Sequence, residues 1–160
     1  MAKKNKAGAG GATIAVNRQA RHEYIFEEFM EAGIALLGPE VKSLRAGRLS
    51  LVDSFAVVEG DEVWLKGLNI SRWQQASWFN HDPLRPRRLL LHKAEIRRLK
   101  VKTQEKGLTI VPTKIYFKRS FIKVEIAIAR GKKLYDKRQA EAAKTAKREI
   151  ERTLAERRWD

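Results

Sequence analysis

The 160-residue chain contains no cysteine, so it can form no disulfide and offers no thiolate to zinc. Its three histidines, His22, His81 and His92, are too scattered for a recognisable metal site. His22-Glu23 does not open a His-Glu-x-x-His motif, because Phe26 stands where the second histidine is required. A Gly-x-Ser-x-Gly nucleophile elbow is missing as well. The early Gly8-Ala9-Gly10-Gly11 run lacks the Gly-Lys-Ser/Thr ending of a phosphate loop. No apolar run approaches the roughly twenty residues that span a bilayer. The lysines of the N-terminal segment precede no apolar stretch, so residues 1–12 are expected to be a flexible basic leader and not a secretory signal. Negative charge is also scarce, with 19 acidic residues against 34 Lys and Arg, leaving a net charge of +15.

That imbalance points to a polyanionic partner, nucleic acid before membrane. The last thirty-one residues, Arg130 to Asp160, hold eleven Lys and Arg and six acids, so the rest of the chain is basic in its own right. From Ala143 onward the regularly spaced apolar residues are Ala143, Ala146, Ile150 and Leu154, a seam at helical spacing too narrow to fix a helix on its own domain. Such a segment suits lying along RNA. It is expected to be disordered alone and helical on its partner. The lack of cysteine fits a reducing, cytoplasmic setting.

Short apolar segments alternate with turn residues, the habit of a small β-rich fold with inserted helices. A strand is expected over His22 to Glu31. Tyr24 and Phe26 lie on one parity and Ile25 and Phe29 on the other, which implies a bulge or burial on both faces. Ile34 to Leu37 reads as a second strand after a close turn at Glu31-Ala32-Gly33. Gly38-Pro39 opens a helix over Glu40 to Ala46, closed by Gly47. Strands follow at Ser54 to Val58 and Glu62 to Gly67, joined through Glu59-Gly60-Asp61. Arg72 to Pro86 gives no clear pattern. Leu89 to Lys106 reads as mainly helical, with Leu91, Ile96 and Leu99 inward and Arg97, Arg98, Lys100 and Lys102 outward. Leu108 to Ala129 is a hairpin turning at Lys118-Arg119-Ser120. Its Ile122, Val124, Ile126 and Ile128 alternate with Lys123, Glu125, Ala127 and Ala129, predicting one core face and one exposed face. The fold class is therefore mainly β with short helices. The architecture expected is a closed barrel of about six strands, of the oligonucleotide-binding type.

Catalytic machinery is hard to assemble from these residues. Glu23, Glu27, Glu28 and Glu31 beside His22 are the raw material of an acid/base or metal-dependent nuclease, but exposed carboxylates balancing nearby cations account for them more simply. The expectation is no catalytic residue, no metal and no cofactor. By contrast, Asn17 to Tyr24 packs an amide, two guanidiniums (Arg18 and Arg21), the His22 ring and the Tyr24 ring into eight residues. Those groups pair with phosphates, stack on bases and read base edges.

Several segments in order carry a resemblance. They are Asn17 to Tyr24; Glu31-Ala32-Gly33; Gly38-Pro39-Glu40-Val41-Lys42-Ser43-Leu44-Arg45-Ala46-Gly47 with Asp53-Ser54; and Asp82-Pro83 before Arg88-Leu89-Leu90-Leu91-His92-Lys93. Last come Gly131-Lys132-Lys133 and Asp136-Lys137-Arg138. Together they resemble the bacterial SsrA-binding protein family, also called small protein B. The resemblance implies an oligonucleotide-binding barrel over residues 13–130 that binds the tRNA-like domain of transfer-messenger RNA (tmRNA). It further implies delivery to stalled ribosomes in trans-translation, together with alanyl-tmRNA and elongation factor Tu, by a monomer with no membrane partner.

On the same resemblance, Asn17, Arg21, His22, Glu31 and Leu90 would support tmRNA binding. Arg18 and Tyr24 lie in the same motif, and Lys42 and Arg45 would extend the cationic surface. For Leu90 an RNA-facing contact and ordinary core burial both fit, and core burial is the expectation. In the tail, residues 131–160, the matching positions are Lys132, Lys133, Asp136, Lys137 and Arg138, with Tyr135 where some members carry His. They would occupy the decoding centre of the small subunit. Lys144, Arg148 and Arg152, at i, i+4 and i+8, would follow rRNA along the empty mRNA channel. A structural ribosomal protein, a basic barrel with a tail threading rRNA, is the alternative.

Overall fold

The strict alternation through Ile122 to Ile128 builds the longest pairing in the molecule. In the computed structural model, which describes residues 12–75, 80–105, 107–132 and 134–158, β8 (Leu108–Lys118) and β9 (Phe121–Gly131) form an antiparallel hairpin. Arg119 makes its turn at φ 57°. β9 pairs on its other edge with β2 (Tyr24–Ile34), from Tyr24 opposite Gly131 to Gly33 opposite Lys123. The remaining barrel strands are β4 (Phe55–Glu59), β5 (Glu62–Lys66) and β7 (Arg87–Leu90). Pairing runs β8–β4–β5–β7–β2–β9 and returns to β8, a closed ring of six strands, with β1 (Thr13–Val16) added along β8. β3 (Leu49–Ser50) and β6 (Asn69–Ile70) make a separate two-stranded sheet. The mainly β, oligonucleotide-binding-type barrel thus has the expected strand number.

Inside the ring, Val63, Leu65, Leu68, Ile110, Ile115, Val124, Ile126 and Ile128 form one apolar core. Helix α3 (Lys93–Thr103) adds Leu99 to it, fully buried, with Ile96 packed at its edge. Helix α2 (Gly38–Arg45) starts with Pro39 in its first turn and ends before Gly47, whose φ of 72° suits glycine. Its Glu40 is fully buried and accepts hydrogen bonds from the backbone of Leu37 (2.9 Å) and from Arg85 and Arg87. Arg87, equally buried, also donates to Leu68 O (2.6 Å) and Pro83 O (3.2 Å). That cluster clamps α2 to the chain entering β7.

Four sequence expectations change. His22 and Glu23 close a short helix, α1 (Arg18–Glu23), so the strand begins only at Tyr24. No turn interrupts Glu31-Ala32-Gly33; β2 continues unbroken to Ile34, and Leu36 and Leu37 lie outside any strand. The bulge does occur, as a register shift between Phe26 and Glu28. Leu89 and Leu90 belong to β7, and the helix starts at Lys93; an apolar run of three fits strand and helix equally until its partners are known. Ala127 and Ala129 are not exposed: with Val111 and Ala20 they form a second small core beneath α1.

The tail, expected to be disordered alone, is helical in the structure as α4 (Leu134–Arg157), and every described side chain from Arg138 onward is exposed. Residues 1–11, and with them most of the expected leader, lie outside the described residues, as do Trp78 and Phe79. No helix among the described residues is long and apolar enough to cross a membrane.

Candidate nucleic-acid interface

The outer face of β2, β9 and β8 is where the sequence concentrates aromatic and charged side chains, because the inner parity of each strand is committed to the core. At its centre the Glu31 carboxylate accepts hydrogen bonds from the Tyr116 hydroxyl and from Lys118 Nζ (3.0 Å). The Tyr116 hydrogen bond is the main cause that lowers the Glu31 pKa; partial burial opposes it, and Lys118 and Lys123 add to the lowering. Burial, then Glu31, raises the Tyr116 hydroxyl well above its usual value. A fixed, ionised carboxylate set among Lys118 and Lys123 is an acceptor for an exocyclic base amine, with cations beside it for the neighbouring phosphates.

Beyond Glu31 the face opens into a groove of about 390 Å³ lined by Gly33, Ile34, Leu36, Val41, Arg45, Leu90, Phe121 and Lys123 among others. Leu90 is 49% exposed and Phe121 68% exposed. Gly33 has no room for more: a Cβ there would meet the Leu90 Cβ at 3.1 Å, so the glycine lets β7 and β2 close up and sets Leu90 on the groove wall. Lys123 Nζ lies 6.0 Å from the Phe121 ring centroid. Apolar walls, an exposed ring and cations at the rim can take an unstacked base with its phosphate. Lys42 and Arg45 are exposed on α2, three residues apart.

At the other end of the face, α1 holds Arg18, Arg21 and His22 in solvent. Arg21 borders a hollow with Phe26, Phe29, Thr113 and Glu125, where the two phenyl rings meet edge to face at 5.6 Å. Tyr24 is half-buried and packs against the Ala20–Val111 cluster. Asn17 does not reach this surface. Only 4% exposed, it caps α1 by accepting from Ala20 N (3.1 Å) and donates to Pro112 O (2.9 Å) and Leu51 O (3.4 Å). Its amide positions the helix that carries Arg18, Arg21 and His22.

The tail root is tied to the same helix. Lys132 N donates to Glu23 O (2.8 Å) and Lys132 Nζ to Arg21 O (3.3 Å), and His22 Nε2 sits 3.2 Å from Glu141 of α4. Arg138, Lys144, Arg148 and Arg152 are exposed on α4, with Arg152 near Glu156 (3.6 Å). Lys133 and the side chains of Tyr135, Asp136 and Lys137 lie outside the described residues. The seam residues Ile150 and Leu154 remain uncovered.

The carboxylates that suggested a nuclease do not converge. Glu27 pairs with Arg130 (3.3 Å), Glu28 with Arg98 (2.9 Å), Glu31 with Tyr116 and Lys118, and Glu23 takes a hydrogen bond from Gln19 (3.4 Å). Sequence reading overlooked Tyr116, Phe121 and Lys123. Phe121 carried a signal: a large aromatic on the polar parity of an otherwise clean alternation, next to a turn.

The family model described as SmpB protein matches residues 14–156. The chain is 56% identical to the SsrA-binding protein of Acidothermus cellulolyticus over 149 residues, covering 93% of this chain and 94% of that one. It is 54% identical to the SsrA-binding protein of Thermobifida fusca over 156 residues, 98% of each. A solved chain described as "tmRNA-SmpB: a journey to the center of the bacterial ribosome" superposes with a TM-score of 0.65 at 52% identity, covering 77% of this chain and 87% of that one.

Proposed function

The chain belongs to the SmpB family, and on that premise we propose that it binds the tRNA-like domain of tmRNA and carries it to stalled ribosomes for trans-translation. The observation that carries this reading is the single outer face joining α1, Glu31 and the Leu90–Phe121 groove. It supplies cations for phosphates, rings for bases and one fixed carboxylate for selectivity. Arg18, Arg21, His22, Glu31, Lys42, Arg45 and Leu90 are its proposed contacts, with Tyr24 and Asn17 supporting α1 from beneath.

Residues 131–160 form the second part of the proposal. Lys132, Lys133, Tyr135, Asp136, Lys137 and Arg138 enter the decoding centre, and Lys144, Arg148 and Arg152 line the empty mRNA channel. A helix this polar is marginal alone, so rRNA contact supplies the cover its seam lacks. Elongation factor Tu with alanyl-tmRNA is the companion in delivery. The role is recognition, with the peptidyl transfer left to the ribosome. The test is competition binding: the tRNA-like domain should be held selectively over bulk rRNA fragments and at raised salt. A structural ribosomal protein would show no such preference.

A further inference from the structure

Glu125 of β9 lies directly opposite Glu31 of β2 in the strand register. Like charges placed that way destabilise a sheet, yet this pair sits in the middle of the outer face. Its two carboxylates are drawn toward opposite ends of that face. Glu31 turns to Tyr116 and Lys118, on the side of the β8–β9 turn. Glu125 turns the other way, its Oε2 accepting from the Thr113 hydroxyl (2.6 Å). Thr113 is 1% exposed and occupies the bulge of β8 between Pro112 and Lys114, so a buried hydroxyl orients a partly exposed carboxylate.

Elsewhere on the barrel, surface carboxylates meet a cation closely: Glu28 meets Arg98 (2.9 Å), Glu59 Lys66 (2.7 Å), Glu62 Arg88 (3.3 Å) and Glu27 Arg130 (3.3 Å). Among the described residues the cation closest to Glu125 is Lys114, 4.0 Å from Oε1 and 5.4 Å from the Tyr116 ring centroid. Oε1 therefore keeps its capacity to accept from a ligand.

Glu125 opens onto the hollow of about 360 Å³ that it shares with Arg21, Phe26 and Phe29. Phe29 is 40% exposed, and its edge-to-face contact with Phe26 steadies the ring. Arg21 is exposed at the rim. These parts suit one nucleotide: a ring for the base to stack on, a guanidinium for its phosphate and a fixed acceptor for its edge. Guanine is the base whose pairing edge offers a carboxylate two neighbouring donors, N1–H and the N2 amine, with O6 beside them to accept from Lys114. The hollow is distinct from the Leu90–Phe121 groove, because Phe121 precedes Glu125 by four residues of β9, about 14 Å of strand.

We infer that Glu125, Phe29 and Arg21 form a second base-reading site, which takes an unpaired guanine of the tRNA-like domain. This inference rests on the proposed function above. The occupant follows from continuity, since the proposed RNA contacts Glu31 and Arg21 border the hollow on either side. The effect of removing Glu125 has a diagnostic sign. A merely solvated carboxylate repels RNA, so its loss would strengthen binding, whereas loss of one that accepts from a base weakens it.

The test uses full-length Glu125→Ala and Glu125→Gln, titrated against the tRNA-like domain and bulk rRNA fragments. It is joined to inosine interference mapping of the tRNA-like domain, since inosine lacks the N2 amine. The expected result is a roughly tenfold loss of affinity for the tRNA-like domain in Glu125→Ala and a severalfold loss in Glu125→Gln, with none on rRNA fragments. In the parent, inosine at one unpaired guanine should interfere with binding. That interference should vanish in both Glu125 variants and persist in Glu31→Ala.

Unchanged or tighter binding by Glu125→Ala would overturn the inference. So would an equal loss on rRNA fragments, or an interference pattern shared by parent and variants. Thr113 retains the Glu125 carbonyl as an acceptor (3.1 Å), and an unchanged melting temperature confirms that folding is intact. A parent chain with no preference for the tRNA-like domain would sink the proposed function and this inference with it. A selective parent beside an unaffected Glu125→Ala would sink this inference alone.

Discussion

The Tyr116 hydroxyl on β8 donates to the Glu31 carboxylate on β2, reaching across the intervening strand β9. This contact holds one carboxylate in a set orientation on a face rich in cations and rings. Glu31→Ala should therefore weaken binding of the tRNA-like domain by roughly tenfold, the scale of a lost charge-assisted hydrogen bond. Tyr116→Phe, which leaves the carboxylate in place but unheld, should cost a smaller, severalfold loss. Titration calorimetry on both variants measures the difference.

The pH dependence of this pair has a definite sign. The folded Glu31 pKa is lowered from 4.5, so its pairing contributes fully above that value and is lost only as pH falls through the lower folded value. A carboxyl NMR titration of Glu31 should give a midpoint below 4.5; one at or above it would mean that Tyr116 and Lys118 do not hold the carboxylate in solution.

How much of this was readable beforehand depended on how local the cause was. The β8–β9 hairpin follows from alternation within eight residues, and α2 from Pro39 and Gly47 at its ends. Helix α1 was missed because its cap, Asn17, is anchored to Leu51 and Pro112, far along the chain. The same distance hid the burial of Ala127 and Ala129, polar-parity residues covered only once α1 folds back on them. Gly33 looked like a turn residue, yet it is there for the approach of Leu90. At the candidate interface, Arg18, Arg21, His22 and Glu31 were legible as a motif, whereas Tyr116 and Phe121 became candidates only when pairing placed them beside Glu31 and Leu90.

The motif residue Glu40 is predicted to act on stability and not on RNA. Buried between Arg85 and Arg87, it would leave an unpaired guanidinium in the core if removed. Glu40→Ala should lower the unfolding free energy by about 3–5 kcal/mol in urea titration.

Asn17 separates positioning from contact. Asn17→Ala should cost about 1–2 kcal/mol of stability through loss of the α1 cap and its two anchors. Glu31→Ala, on the exposed face, should change stability by only about 0.5 kcal/mol. Parallel urea titrations of the two variants check the contrast.

The central claim is a division of labour between the barrel and its tail. It is tested most directly by truncating the chain after Gly131 and scoring the same protein for tRNA-like-domain affinity and for peptide tagging on stalled ribosomes. The account predicts affinity within about twofold of the full chain and no tagging. Loss of RNA binding on truncation, or tagging that survives it, would contradict the account.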